Sequence, residues 1–199
     1  MSESSRKLDG PGNGRRGVQN RIDRAFRGLK GPGAALITYI TAGDPDLETT
    51  ESLVDALVEG GADLIELGFP YSDPLADGPA IQKASQRALV SGTSIRGVFD
   101  LVGRIRRRHE IPLAMMTYFN PIHRYGIERF TSEAAEAGLD GLIIPDLPLE
   151  EGAEARRTIA SRGLHPILFL APTSTDERIA AIAREAGGFI YCVSLTGVT

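Results

Sequence analysis

Three acidic residues fall close together in the stretch IELGFPYSDPLADGPAIQ, residues 65–82. Glu66 interrupts an apolar run, Leu64-Ile65-Glu66-Leu67-Gly68, and Asp73 and Asp77 follow in a turn rich in Pro and Asp. A carboxyl group held among apolar neighbours loses solvation, which raises its pKa and suits it to general acid-base chemistry. The competing arrangement turns Glu66 to a rim, where it pairs with a Lys or Arg. The residues alone leave both open. Asp77 can reach the same place if its loop folds over. Asp77-Gly78-Pro79 is also a good helix start, so Asp77 can equally be the N-cap of a helix opening at Pro79-Ala80-Ile81. Local physics favours the cap. Asp73 precedes Pro74 and is most simply a turn former.

Such groups act only where a scaffold holds them. Six short apolar runs recur: residues 34–40, 63–67, 112–117, 140–144, 166–170 and 189–193. They are near-continuous rather than alternating, as expected of strands covered on both faces of a parallel sheet. The stretches between them read as helices. DLETTESLVDALVEGG places Leu53, Val54, Leu57 and Val58 on one face. TSEAAEAGLD, EGAEARRTIASRG and STDERIAAIAREAGG behave alike, and each of the four ends in a glycine: Gly61, Gly138, Gly163 and Gly187. Helix end, glycine, strand is thus a repeated phrase at βα-unit spacing. TSIRGVFDLVGRIRRRH adds a second helix after strand 2, and QNRIDRAFRGLKG is a helix before strand 1.

Six βα steps fit either a (β/α)8 barrel or an open doubly wound sheet. A dinucleotide-binding sheet would carry G-x-G-x-x-G after an early strand. TAGDPD and GFPYSDPLADG stand there instead. Polar residues at the carboxyl ends of several strands fit a barrel, whose active sites are built at that end: Thr41, Glu66, Tyr118 with Asn120, Asp146, and Ser194 with Thr196. The expected architecture is a TIM-barrel type with about six of eight βα units present, C-terminally incomplete. Residues 19–199 form the partial barrel and residues 1–18 a disordered leader. Within the barrel Glu66 would face the interior near the mouth, with Ile65 and Leu67 on the other face.

Composition narrows the partners. A net charge of -4 and a pI near 5.5 argue against nucleic acid, which calls for a basic face. The basic run Arg104-Ile105-Arg106-Arg107-Arg108-His109 reads as a solvated helix end, where cations suit the helix dipole. One cysteine, Cys192, and three scattered histidines make a metal site an unfavoured reading. No apolar run approaches the roughly 20 residues that span a bilayer, and MSESSRKLDGPGNGRRGVQN is no secretory signal. The cytoplasm is the expected compartment.

The string from Glu66 to Pro79, ELGFPYSDPLADGP, resembles the signature of the tryptophan synthase alpha chain family. The order of flanking motifs is similar too: YITAGDP at 39–45, TYFNP at 117–121, IPDLP at 144–148 and YCVSLTGVT at 191–199. The resemblance runs from about Asn20 to the end. It implies retro-aldol cleavage of indole-3-glycerol phosphate to indole and glyceraldehyde 3-phosphate. Glu66 would protonate indole C3 and take the proton of the neighbouring glycerol hydroxyl. Asp77 would accept the indole N–H and stabilise positive charge on the ring. Tyr39, Met116 and Tyr118, with Ile81, would line the substrate pocket, with simple core packing the alternative for Tyr39. Asn120 and Asp146 fall near the face that meets a partner, where turn-former and N-cap roles compete. Thr199 would contact the carboxylate loop on closure.

The implied partner is the tryptophan synthase beta chain in an α2β2 tetramer. The beta chain carries pyridoxal phosphate, and no cofactor is expected in this chain. Barrels of this kind hold substrate phosphate on the loops after strands 7 and 8, which do not occur in these 199 residues. The polypeptide by itself is therefore expected to be weakly active or inactive, and prone to aggregate at its open strand edges. An alternative is a barrel fragment that docks on the beta chain and activates it without catalysis. A third reading, another phosphate-binding barrel enzyme, has only the signature string against it.

Overall fold

The computed structural model describes residues 19–29 and 33–193. The leader expected at 1–18, the segment 194–199 and with it Thr199 lie outside the described residues. Helix α1 (Arg21–Gly28) comes first. Then follow β1 (Ile37–Thr41), α2 (Leu47–Glu59), β2 (Leu64–Gly68), α3 (Pro79–Val90), α4 (Ile95–Arg106) and β3 (Leu113–Met116). After these come α5 (Phe119–Tyr125), α6 (Ile127–Ala137), β4 (Gly141–Ile143), α7 (Ala153–Ser161), β5 (His165–Leu170), α8 (Asp176–Glu185) and β6 (Ile190–Cys192). The six strands pair in chain order, all parallel, as an incomplete barrel wall.

Two apolar layers form on the two faces of the sheet. Ile65, Leu67 and Met115 pack outward with α4 and α6 residues such as Val102 and Phe130. Leu64, Ala114, Ile143 and Ile167 point inward and meet Ile22 of α1. Side chains alternate along a strand, so Glu66, two places after Leu64, joins the inner face. Helix α1 closes the amino end of the barrel wall. Its cap residue Asn20 donates through Nδ2 to the carbonyls of Asp140 (2.7 Å) and Gly163 (3.2 Å), and His165 Nε2 lies 2.8 Å from Asp23 Oδ2.

Four expectations change. On α2 the inward positions are Thr50 and Val54, while Leu53 is 41% exposed. Thr50 fits a buried position because its hydroxyl takes the Gly43 N–H and donates to the Asp46 carbonyl. After α8 the positive φ falls on Gly188, not Gly187. FNPIHRY, which lies in none of the helices expected from the sequence, is helix α5; Pro121 is tolerated in its first turn, where an amide hydrogen has no helical acceptor. The basic run is a solvated end only in part. Arg107 and Arg108 are exposed, but Arg106 is largely covered and donates to the carbonyls of Gly138 and Ile111 and to Asp140, while Arg104 and Arg108 share Glu51. A guanidinium has enough donors to tie several loop carbonyls at once, and α4 ends where α6 and the start of β4 supply them.

Candidate active site

Glu66 is the middle residue of β2, two residues before its carboxyl end, beside Tyr39 of β1 and Ala114 of β3. It is 3% exposed, forms no ion pair among the described residues, and its Oε1 has no hydrogen-bond partner. The rim arrangement paired with a Lys or Arg is therefore not what the chain adopts. Desolvation alone pushes the Glu66 pKa up to about 7. A buried carboxyl with a free oxygen can both donate and accept a proton near neutral pH.

Asp77 does not cap α3. The cap position is Gly78, which provides no side-chain acceptor, and Pro79 begins the helix. Pro79 has no N–H to be capped, so the local reading loses its main gain. The Asp77 carboxyl is half-buried. Desolvation raises its pKa, and the nearby Tyr118 hydroxyl pulls it back down. Asp73 stays in the exposed turn with its carboxylate on the Ser72 hydroxyl.

The other candidates gather round this pair. Burial raises the Tyr39 pKa, and the charges of Asp77 and Glu66 add to that, so its phenol lies in the field of both carboxylates. Its ring occupies the space beside Gly68, where any Cβ would collide with it. Its hydroxyl is 3.5 Å from that of Thr41. Met116 pairs with Gly68 in register and packs on the inner layer. Tyr118 is 5% exposed, and its hydroxyl accepts the Ala76 N–H at 2.9 Å. Its ring lies 5.2 Å from that of Tyr71, whose hydroxyl accepts from Asn120 Nδ2 at 2.9 Å. Asn120 is thus a member of α5 and not a turn former. Asp146 takes the Phe119 N–H at 2.8 Å, so it caps α5 from another loop and not the helix that follows it. Ile81 is half-buried in the first turn of α3.

One residue was not singled out from sequence. Tyr191 of β6 faces the interior, stacks on Phe169 at 5.0 Å, and its phenol is held up by burial and by the charge of Glu66. The signal available was its place in the last apolar run, two positions after Phe189, which packs on the same inner layer.

A parallel βα barrel wall with a desolvated glutamate near one strand end, and a half-buried aspartate on the loop beyond it, defines a barrel with two carboxyl groups at its mouth, an arrangement open to acid-base chemistry. The sequence model of the family described as tryptophan synthase alpha chain matches residues 28–199. The tryptophan synthase alpha chain of Caldanaerobacter subterraneus subsp. tengcongensis is 56% identical over 181 residues, covering 90% of this chain and 69% of the relative. That of Citrifermentans bemidjiense is 54% identical over 181 residues, covering 90% and 68%. Among solved structures, the alpha subunit from Legionella pneumophila superposes with a TM-score of 0.86 at 44% identity, covering 89% of this chain and 68% of that one. A structure of the α2β2 complex from Pyrococcus furiosus gives 0.78 at 42% identity, covering 81% and 68%. The chain belongs to the tryptophan synthase alpha chain family, which cleaves indole-3-glycerol phosphate in tryptophan biosynthesis.

Proposed function

We propose that Glu66 and Asp77 together carry the carbon–carbon lyase step. The buried Glu66, with one carboxyl oxygen free, is the observation that carries this reading. A protonated Glu66 delivers its proton to indole C3, which converts the ring into an electron sink. The resulting carboxylate then takes the proton of the adjacent glycerol hydroxyl. The bond from C3 to the glycerol chain breaks, its electron pair returns to the ring, and the hydroxyl carbon becomes the aldehyde of glyceraldehyde 3-phosphate. Asp77, ionised, accepts the indole N–H and offsets positive charge as it develops on nitrogen. Tyr39, Met116 and Tyr118 line the place where the indole ring lies. The steps use side-chain acid and base chemistry, with no cofactor in this chain.

The partner is a tryptophan synthase beta chain, which supplies pyridoxal phosphate for the later condensation. The likeness to a chain of the Pyrococcus furiosus α2β2 complex supports this. The compartment is the cytoplasm.

The test is indole release from indole-3-glycerol phosphate by the parent, Glu66→Gln and Asp77→Asn, with and without beta chain. Loss of turnover by about 10³-fold in both variants is expected, since each removes a transition-state contact. Turnover indifferent to Glu66 overturns the assignment. No turnover, together with faster condensation of serine and indole by added beta chain, would make the chain an activator only.

A further inference from the structure

We infer that Asp146 is a positioning residue for Asp77, acting through the start of α5 and the Tyr118 hydroxyl. This rests on the role of Asp77 proposed above. Helix α5 has only seven residues, and its cap residue Tyr118 offers no side-chain acceptor. The first amide hydrogens of any helix lack partners within it. Asp146, from the loop after β4, meets that need with a carboxylate oxygen 2.8 Å from the Phe119 nitrogen. A charged acceptor at a helix start is both a strong hydrogen bond and a favourable charge–dipole pair.

The bond fixes more than a helix end. Tyr118 is the residue immediately before Phe119 and is held extended, with φ -72° and ψ 158°. From there its side chain is buried under the loop after β2. Its ring packs on Tyr71, and its hydroxyl accepts the amide hydrogen of Ala76, next to Asp77. Only one other side-chain bond ties the backbone of this part of the loop among the described residues, from Gln82 Nε2 to the Asp77 carbonyl at 2.8 Å. Three consecutive strand ends are thereby coupled: β4 through Asp146, β3 through Tyr118, and β2 through the loop that carries Asp77.

Shortening Asp146 should free the start of α5, let Tyr118 drift, and misplace Asp77. A displacement of about 1 Å at a reacting group costs up to roughly 10²-fold in rate. Asp146→Ala should therefore lower kcat about 10- to 100-fold, with KM changing less than kcat. The Tyr118 hydroxyl favours the ionised Asp77. Losing its hold raises the Asp77 pKa, so activity fails at a higher pH as the solution is acidified. Tyr118→Phe should give the same displaced acid limb. Asp146→Asn keeps a neutral acceptor and should recover part of the rate.

Amide exchange followed residue by residue reads the same device without turnover. Tyr118→Phe should speed exchange at Ala76 and leave Phe119 protected. Asp146→Ala should speed both, and Asp146→Asn should fall between. Unchanged Ala76 exchange in a folded Asp146→Ala protein overturns the inference. So does parental kcat with an unmoved acid limb. Should Asp146→Ala not fold, Asp146→Asn and Tyr118→Phe decide by the same exchange pattern. A parent that releases no indole refutes the lyase roles instead, and the exchange result still settles the coupling.

Discussion

Glu66 keeps a proton near neutrality because nothing in its surroundings rewards losing it. An ordinary glutamate in the unfolded chain titrates near 4.5, and the folded one near 7. Between those values the folded chain binds more protons than the unfolded chain, so stability falls as pH rises through that window and stays reduced above it. The difference amounts to roughly 3 kcal/mol. Glu66→Gln should therefore raise the unfolding midpoint at pH 8 and leave it nearly unchanged at pH 4, measured by urea titration. Equal midpoints for variant and parent at pH 8 would mean the carboxyl is not desolvated. Residue by residue, the sequence was legible unevenly. A charge inside an apolar run announces itself, so Glu66 could be singled out, although the residues alone left the rim arrangement open. Asp77 could not, because local preference pointed to a cap; only the resemblance gave it a site role. Asp146 was the hardest, since the amide it serves lies 27 positions earlier. No short-range pattern encodes a bond of that span.

Elements were more legible where hydrophobic period and glycine agree. Each of the six strands overlaps the run expected of it, with β1, β2 and β5 reaching one residue past it, and most helices fall where they were expected. α5 did not, because seven residues with a proline near the front carry too little periodicity to separate from a turn. The end of α4 shows the opposite failure, a clear helix whose charges were misplaced. Arg106 looks like its neighbours in sequence, yet it alone is packed between α6 and the loop before β3, bonded to Asp140 Oδ2 at 2.7 Å. Asp140 also accepts the Leu113 N–H at 3.0 Å. Removing Arg106 leaves the buried Asp140 carboxylate with Arg21 Nη1, at 3.3 Å, as its remaining charged partner, so the loss falls below the roughly 3–5 kcal/mol of a buried pair broken outright. Arg106→Met should lose about 2–3 kcal/mol, whereas Arg107→Met at the exposed cap should change stability by less than about 0.5 kcal/mol. Thermal or chemical denaturation of the pair checks it; equal losses would mean the Arg106 cluster contributes no more than a surface charge.

At the level of the molecule, strand order equals chain order and each neighbour is parallel, so topology could be inferred once the βα repeat was seen. β1 and β6 each have a single neighbour among the described residues, and Phe169 and Tyr191 of the inner layer stay only partly covered. Unpaired ladder edges template association. The 199-residue polypeptide is expected to self-associate as concentration rises from micromolar to millimolar, followed by light scattering; a monodisperse monomer throughout would sink that expectation. The bonds from α1 have a different consequence. Asn20 reaches Asp140 and Gly163 across 120 and 143 positions, and Asp23 reaches His165 across 142. During synthesis the chain emerges amino end first at a limited rate. α1 leaves the ribosome well before any of those partners exists. For the seconds it takes to make the next 140 or so residues, the helix has no dock, and the inner layer has no floor. A helix translated before every strand is thus seated after most of the sheet has formed, and a chaperone arriving in that interval would meet Ile22 and Phe26 still bare.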